Sequence, residues 1–309
     1  MRRILAAPLL ILWTASPLLA HPGRPPAPHD IWQAWSWEPG VLVALAGSAW
    51  LYLRGLRTLW ARAGRGRGVS RRQTGWFFAG LGVLFVALVS PLDKLGTALF
   101  SAHMVQHLLL VLVAAPFLVL GAPTIVMVWA FPLGARRALA GWWHRTPWVR
   151  RTWWALSRPL VAWIASTAAM WVWHLPGPYQ AALRSDAVHG LEHASFFITA
   201  LLFWWVLARP DYRRRLSFGA DLVFLFTAAM QSGVLGALIT FARQPWYPMH
   251  AEPASWWGLT ALEDQQLAGL IMWVPASVAY LGAAAAVLLS GMARLDRKPL
   301  SVVWERSTG

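Results

Sequence analysis

Seven long stretches without a charged side chain, beyond the N-terminal segment, constrain this chain more than anything else in it. They lie between Glu38 and Arg54, Arg72 and Asp93, Lys94 and Arg136, Arg158 and Arg184, Glu192 and Arg209, Asp221 and Arg243, and Asp264 and Arg294. A helix crosses the hydrocarbon core of a bilayer in about 20 apolar residues, so each stretch reads as a span. The first is short. The apolar residues ahead of Glu38 and the arginines beyond it, which can snorkel, allow a tilted or extended helix there. With 58% hydrophobic and 13% charged residues among 309, and a mean hydropathy of +0.48, the chain has too little polar surface for a soluble domain. The expected fold class is all-α: a polytopic membrane helix bundle of seven transmembrane helices, or eight if the first hydrophobic segment is retained.

The stretch from Lys94 to Arg136 is long enough for two helices, and loop charge decides the count. Arginines cluster at Arg54 to Arg72 (seven), Arg136 to Arg158 (six) and Arg209 to Arg215 (four), with four more basic residues from Arg294 onward. The intervening loops carry only Arg24, Lys94, Arg184 and Arg243. Cytoplasmic loops hold the Lys/Arg excess, and this alternation survives only if the long stretch is one span ended by Gly121-Ala122-Pro123. Val126 to Leu133 is then expected at the inner interface. The formal charge of +15 thus reports orientation in a lipid bilayer, not nucleic-acid binding. Many of the 23 tryptophans, including Trp32, Trp60, Trp142 and Trp256, fall where spans meet loops, as an aromatic belt requires.

Residues 1–20 read as a signal peptide or signal anchor: Arg2-Arg3, an apolar stretch, then Ser16-Pro17-Leu18-Leu19-Ala20. A Pro-rich periplasmic linker follows at 21–30, then a seven-helix membrane domain at 31–293 and a cytoplasmic tail at 294–309. Cleavage after Ala20 would make His21 an N-terminal metal chelate, although a linker histidine needs no such role.

Two histidine pairs at i, i+4 spacing, His103/His107 and His189/His193, open the third and fifth spans. Both spans run inward, so the pairs sit at similar depth, each pair on one helix face about 6 Å apart along the axis. His174 ends the fourth span on the same side. One such pair can arise by chance or serve as an interhelical hydrogen-bonding group. Two pairs plus His174 point to a shared site, because polar groups in a membrane are expensive and face the interior. Imidazole suits copper, zinc and iron, and a sequence without cysteine has neither thiolate sites nor disulfides.

Other polar residues near this layer have simpler readings. Met104 could offer a thioether to Cu(I), but it lies about 100° around the helix from His103 and is expected to pack in the core. Glu192 is expected to point away from the His189/His193 bisector, as a partner that orients a histidine or meets headgroups. His250 falls in an outer loop and reads as solvated. Asp264 begins the seventh span, able to reach the histidines or to cap a helix.

The run His103-Met104-Val105-Gln106-His107-Leu108-Leu109-Leu110, with Ala115-Pro116 and Gly121-Ala122-Pro123, resembles the membrane-integral CtaG family of cytochrome c oxidase assembly factors. Trp173-His174, His189-Gly190-Leu191-Glu192-His193, Phe203-Trp204 and Asp264-Gln265-Gln266-Leu267-Ala268-Gly269, with Met272-Trp273 and Pro275, follow in order. The similarity runs collinearly from residue 35 to about residue 289. The unrelated single-span copper chaperone of the same name relies on cysteines and is not resembled. The resemblance implies a seven-helix protein of the bacterial inner membrane, non-enzymatic, that handles copper for a haem-copper oxidase. Its partners would be oxidase subunits and periplasmic copper carriers. It carries over His103, His107, His174, His189, His193 and Asp264 as a constellation, without deciding which are ligands. Zinc, a b-type haem held between spans, and a metal-free assembly scaffold remain as alternatives. Catalysis finds no nucleophile beside a base, no phosphate loop and no His-Glu-x-x-His pattern.

Overall fold

The computed structural model describes residues 25–208 and 218–295, and among them every regular element is helical. The expected signal segment, His21, the basic loop from Arg209 to Arg215 and the tail beyond residue 295 lie outside the described residues. Six helical segments are long and apolar enough to cross a membrane, which makes the chain an all-α polytopic bundle.

Local chemistry sets the boundaries. Helix α1 (Pro39–Ala63) starts on a proline, whose fixed φ suits a first helical turn. It stops at Gly64, where φ is 91°. Helix α2 (Arg71–Val89) begins in a capping box: the Ser70 hydroxyl accepts from the Gln73 N–H, and the Gln73 side-chain oxygen accepts from the Ser70 N–H. Short α3 (Pro91–Ala98) leads into the third crossing, Phe100–Leu120, which is composite. It consists of α4 (Phe100–Leu108), a π-helical turn (Leu109–Ala114) and α5 (Ala115–Leu120). Pro116 has no N–H to give the preceding turn and its ring crowds the carbonyl four residues back. The widened turn relieves that conflict. Trp204 Nε1 donates to the Val111 carbonyl at 2.8 Å, satisfying a group inside the distorted stretch.

After Gly121 the chain reverses through Ala122, a left-handed non-glycine residue (φ 49°). That conformation costs roughly 1–2 kcal/mol, and Tyr52 helps hold the turn by donating its hydroxyl to the Gly121 carbonyl at 2.9 Å. Helix α6 (Pro123–Trp129) leads into the stretch Val126 to Leu133 expected at the inner interface, and it packs on α1 through buried Val126, Met127 and Val128 while Ile125 stays exposed. Gly55 of α1 permits the contact. A Cβ there would stand 1.9 Å from the Val126 carbonyl oxygen, so only glycine admits α6.

Helices α7 (Leu133–Arg145) and α8 (Pro147–Leu156) carry the arginine-rich connection to α9 (Pro159–Trp173). The expected fourth span is shorter than its charge-free stretch suggested. Pro176 forces Leu175 into extended backbone (ψ 140°). Helix α9 therefore ends at 15 residues, roughly 22 Å long, and α10 (Pro176–Arg184) turns away. The remaining elements are α11 (Asp186–Ala208), α12 (Phe218–Thr240), α13 (Ala251–Trp256) and α14 (Ala261–Leu295). Helices α12 and α14 meet backbone to backbone: a Cβ on Gly269 would lie 2.6 Å from the Thr240 nitrogen and 2.7 Å from the Gly236 carbonyl oxygen. Small residues at a helix crossing permit this approach in lipid, where packing drives association. The first turns of α4, α11 and α14 and the last turn of α9 come together at one end of the bundle.

Candidate metal centre

Helix α4 has no cap of its own, because Leu99 precedes it. Asp264 of α14 supplies one, accepting the backbone N–H of Phe100 at 2.7 Å and of Ser101 at 3.1 Å, together with the Ser101 hydroxyl. One turn further in, His103 and His107 share a face, with ring centroids 4.2 Å apart. Gln106, fully buried, anchors the other side of α4 by donating to the Ala87 carbonyl and the Asp93 carboxylate, both at 2.8 Å. Gly96 lets α3 come close, since a Cβ there would lie 3.2 Å from Gln106 Oε1.

Helix α11 presents His189, Glu192 and His193 to this face. The His189 and His193 rings are 4.2 Å apart. His189 is 5.4 Å from His103 and His193 is 5.2 Å from His107, so the four rings close a quadrilateral. Glu192 lies against it: Oε1 is 3.5 Å from His103 Nε2 and 3.8 Å from His107 Nε2. Glu192 does not point away, as the sequence had suggested. Three residues on from His189 is still the same helix face, and a glutamate is long enough to reach across. Ligand atoms from His103, His107, Glu192 and His193 all fall within 4.8 Å of one another.

These atoms lack hydrogen-bond partners. His103 Nε2, both nitrogens of His107, His189 Nε2, both carboxylate oxygens of Glu192 and His193 Nε2 are all buried without one. The two Glu192–histidine separations, 3.5 and 3.8 Å, approach the spacing of about 3.3 Å that tetrahedral ligands adopt around an ion at bond lengths near 2.0 Å, and all four donors stay within 4.8 Å of one another. Three imidazoles and a carboxylate thus fit a transition-metal ion.

The segment from residue 50 to residue 294 matches the family model described as cytochrome c oxidase caa3 assembly factor. The chain belongs to that family. Two uncharacterized proteins, one from Mycobacterium bovis and one from Mycobacterium tuberculosis, are each 25% identical to it over 234 residues. The match covers 73% of this chain and 34% of each relative, so the chain spans about a third of the length of the curated relatives it matches. No solved structure matches.

The other residues singled out within the family motifs take different places. His189 borders the four-donor set. His174, buried at the end of α9, stands beside it, with its ring 6.3 Å from that of His107. Its Nδ1 meets the Met170 carbonyl at 2.6 Å and its Nε2 meets Met104 Sδ at 3.3 Å. Met104 does pack in an apolar cluster, yet its sulfur also faces this imidazole. Asp264 is occupied by α4 and reaches the histidines only through that helix. His250 is buried, not solvated: Tyr179 donates its hydroxyl to Nε2 at 2.8 Å, and Nδ1 meets the Ala98 carbonyl at 3.2 Å. Tyr179 and Tyr247, which pack with Phe100 over the outer end of the site, had no sequence signal at all. Gln106 had one, an amide inside an apolar span.

Proposed function

We propose that this chain supports cytochrome c oxidase assembly by holding a copper ion in transit at the His103/His107/Glu192/His193 cluster. The observation that carries the reading is the set of unpartnered buried nitrogens and carboxylate oxygens gathered on α4 and α11. Each unsatisfied polar atom costs about 1–3 kcal/mol, and one cation answers most of them together. Family membership favours copper over zinc, which the same donors would also accept. The packing favours a single ion over haem, because a macrocycle between any two rings would overlap the others and Glu192.

The charge bias of the loops supports a topology with the cluster on the periplasmic side of the bacterial inner membrane and the C-terminus in the cytoplasm. A periplasmic copper carrier would then load the site at the bundle end, and an oxidase subunit would receive the ion from within the bilayer. Nitrogen and carboxylate donors without thiolate suit release as well as capture. The test is elemental analysis of membrane-purified wild type and the His103→Ala/His107→Ala double variant, alongside the copper content of the oxidase in cells carrying each. Copper in the wild type and its loss in the variant, with a copper-poor oxidase, are expected. Equal copper in both proteins would sink the reading.

A further inference from the structure

We propose that Met104 and His174 form a second, softer metal station beside the His/Glu cluster, one that takes Cu(I). The inference rests on the copper reading above and adds where the monovalent ion sits. His174 Nδ1 lies 2.6 Å from the Met170 carbonyl oxygen. A carbonyl has no proton to give, so Nδ1 carries the ring hydrogen, and in the neutral imidazole Nε2 is left with a lone pair and no hydrogen. That lone pair faces Met104 Sδ at 3.3 Å, and a thioether is likewise only an acceptor. Two buried lone pairs with no proton between them repel, and a cation bound by both removes the repulsion. Protonating His174 would also supply a hydrogen, but only by placing an imidazolium where the residue is 5% exposed, which low-polarity surroundings penalise.

The supporting contacts are those of a ligand histidine. Such residues donate their second ring N–H to a backbone carbonyl or a carboxylate, which fixes tautomer and orientation. Met170 accepts that hydrogen, and Tyr247 adds a bond from its hydroxyl to the His174 carbonyl at 2.6 Å. Phe196 walls the station, with its ring 6.0 Å from His174 and 4.5 Å from His107. A nitrogen and a thioether make a soft, uncharged pair suited to Cu(I), whereas the carboxylate of the neighbouring cluster suits Cu(II) or zinc. His107 stands between the two, its ring 5.2 Å from His193 and 6.3 Å from His174. Both its nitrogens lack hydrogen-bond partners, so it can complete either shell.

The test uses purified full-length protein, loaded without oxygen with Cu(I) alone and, in a separate sample, with Zn(II) alone. X-ray absorption at the copper edge should find sulfur in the first shell of the Cu(I)-loaded wild type. Met104→Leu, which keeps the volume and removes the sulfur, should lose that scatterer and bind Cu(I) at least about tenfold more weakly against a chromogenic chelator. Its Zn(II) affinity should be unchanged, which also reports an intact cluster; Met104→Ile repeats the test if the leucine variant aggregates. A nitrogen-and-oxygen shell in the wild type, a sulfur shell that persists in the variants, or wild-type Cu(I) affinity in them overturns the second station and leaves the copper cluster standing. A wild type that binds neither metal overturns both.

Discussion

Asp264 holds Phe100 by its backbone. The carboxylate on α14 accepts the Phe100 N–H at 2.7 Å and the Ser101 N–H at 3.1 Å, so the start of α4 is set by a residue 164 positions away in sequence. The contact puts negative charge at the positive end of the helix dipole, one turn ahead of His103.

Asp264→Ala should therefore act on stability and on the site together. Two buried N–H groups lose their acceptor, at about 1–3 kcal/mol each, and α4 is free to fray toward His103. Thermal unfolding and metal content measured on the same preparations check this. A lowered melting temperature with full metal content would show that the cap serves the fold and not the histidine geometry.

Glu192→Gln should separate the same two quantities in the opposite sense. The amide keeps the shape but withdraws the charge that meets His103 and His107. Metal affinity should fall by about 10- to 100-fold. The metal-free protein should be at least as stable as wild type, since burial of an uncompensated carboxylate is penalised. Titration with Zn(II) and unfolding of the metal-free form provide the two readouts. A destabilised apo protein with unchanged affinity would mean that Glu192 pairs with imidazolium and not with metal.

The crossing of α12 and α14 should tolerate no side chain at Gly269. A Cβ there would lie 2.4 Å from Thr240 Oγ1 and 2.6 Å from the Thr240 nitrogen. Backbone cannot move aside as a rotamer can. Gly269→Leu should cost at least about 3 kcal/mol and, by shifting α14, disturb Asp264 as well. Gly282→Leu, on the same helix with open space at its Cβ, should be close to neutral. Detergent-resistance and unfolding assays on the pair of variants check the contrast. Equal losses would show that bulk anywhere on α14 is harmful and that the crossing is not special.

What was legible in the sequence is what lipid and helix geometry enforce locally. Charge-free stretches had to be helices, because backbone polar groups in hydrocarbon find partners no other way within one segment. The i, i+4 histidines had to share a face. His174 was expected to end the fourth span and does cap α9, but the sequence did not show that this leaves the helix short. Glu192 was misread because its angle from the bisector was weighed without its reach. The remaining errors concern contacts distant in sequence. His174 meets Met104 across 70 positions and His250 meets Tyr179 across 71. No periodicity encodes such pairs, so a loop histidine looked solvated, and a methionine that does pack as expected gave no sign of the imidazole its sulfur faces.

His250 supplies a pH dependence whose sign follows from its surroundings. It lies between the last two long helices, outside the membrane-spanning segments. Burial pushes its imidazole below the ordinary value, against the opposing pull of the Ala98 carbonyl and the Asp264 carboxylate. In the fold the ring is neutral, with the Nδ1 hydrogen directed at Ala98 and the Nε2 lone pair taking the Tyr179 hydroxyl. The unfolded chain, with an ordinary histidine, binds a proton at higher pH than the folded one does. Stability is thus fully present above the unfolded value of about 6.5. It is lost as pH falls from there toward the lower folded value, where folded protein protonates too. Protonation also deprives Tyr179 of its acceptor. Between pH 7.5 and pH 5.5 the wild type should lose more thermal stability than His250→Gln, whose amide can still bond but does not titrate. Parallel unfolding curves for the two proteins across that range would show that His250 contributes no pH dependence, leaving any wild-type loss to the buried histidines of α4 and α11.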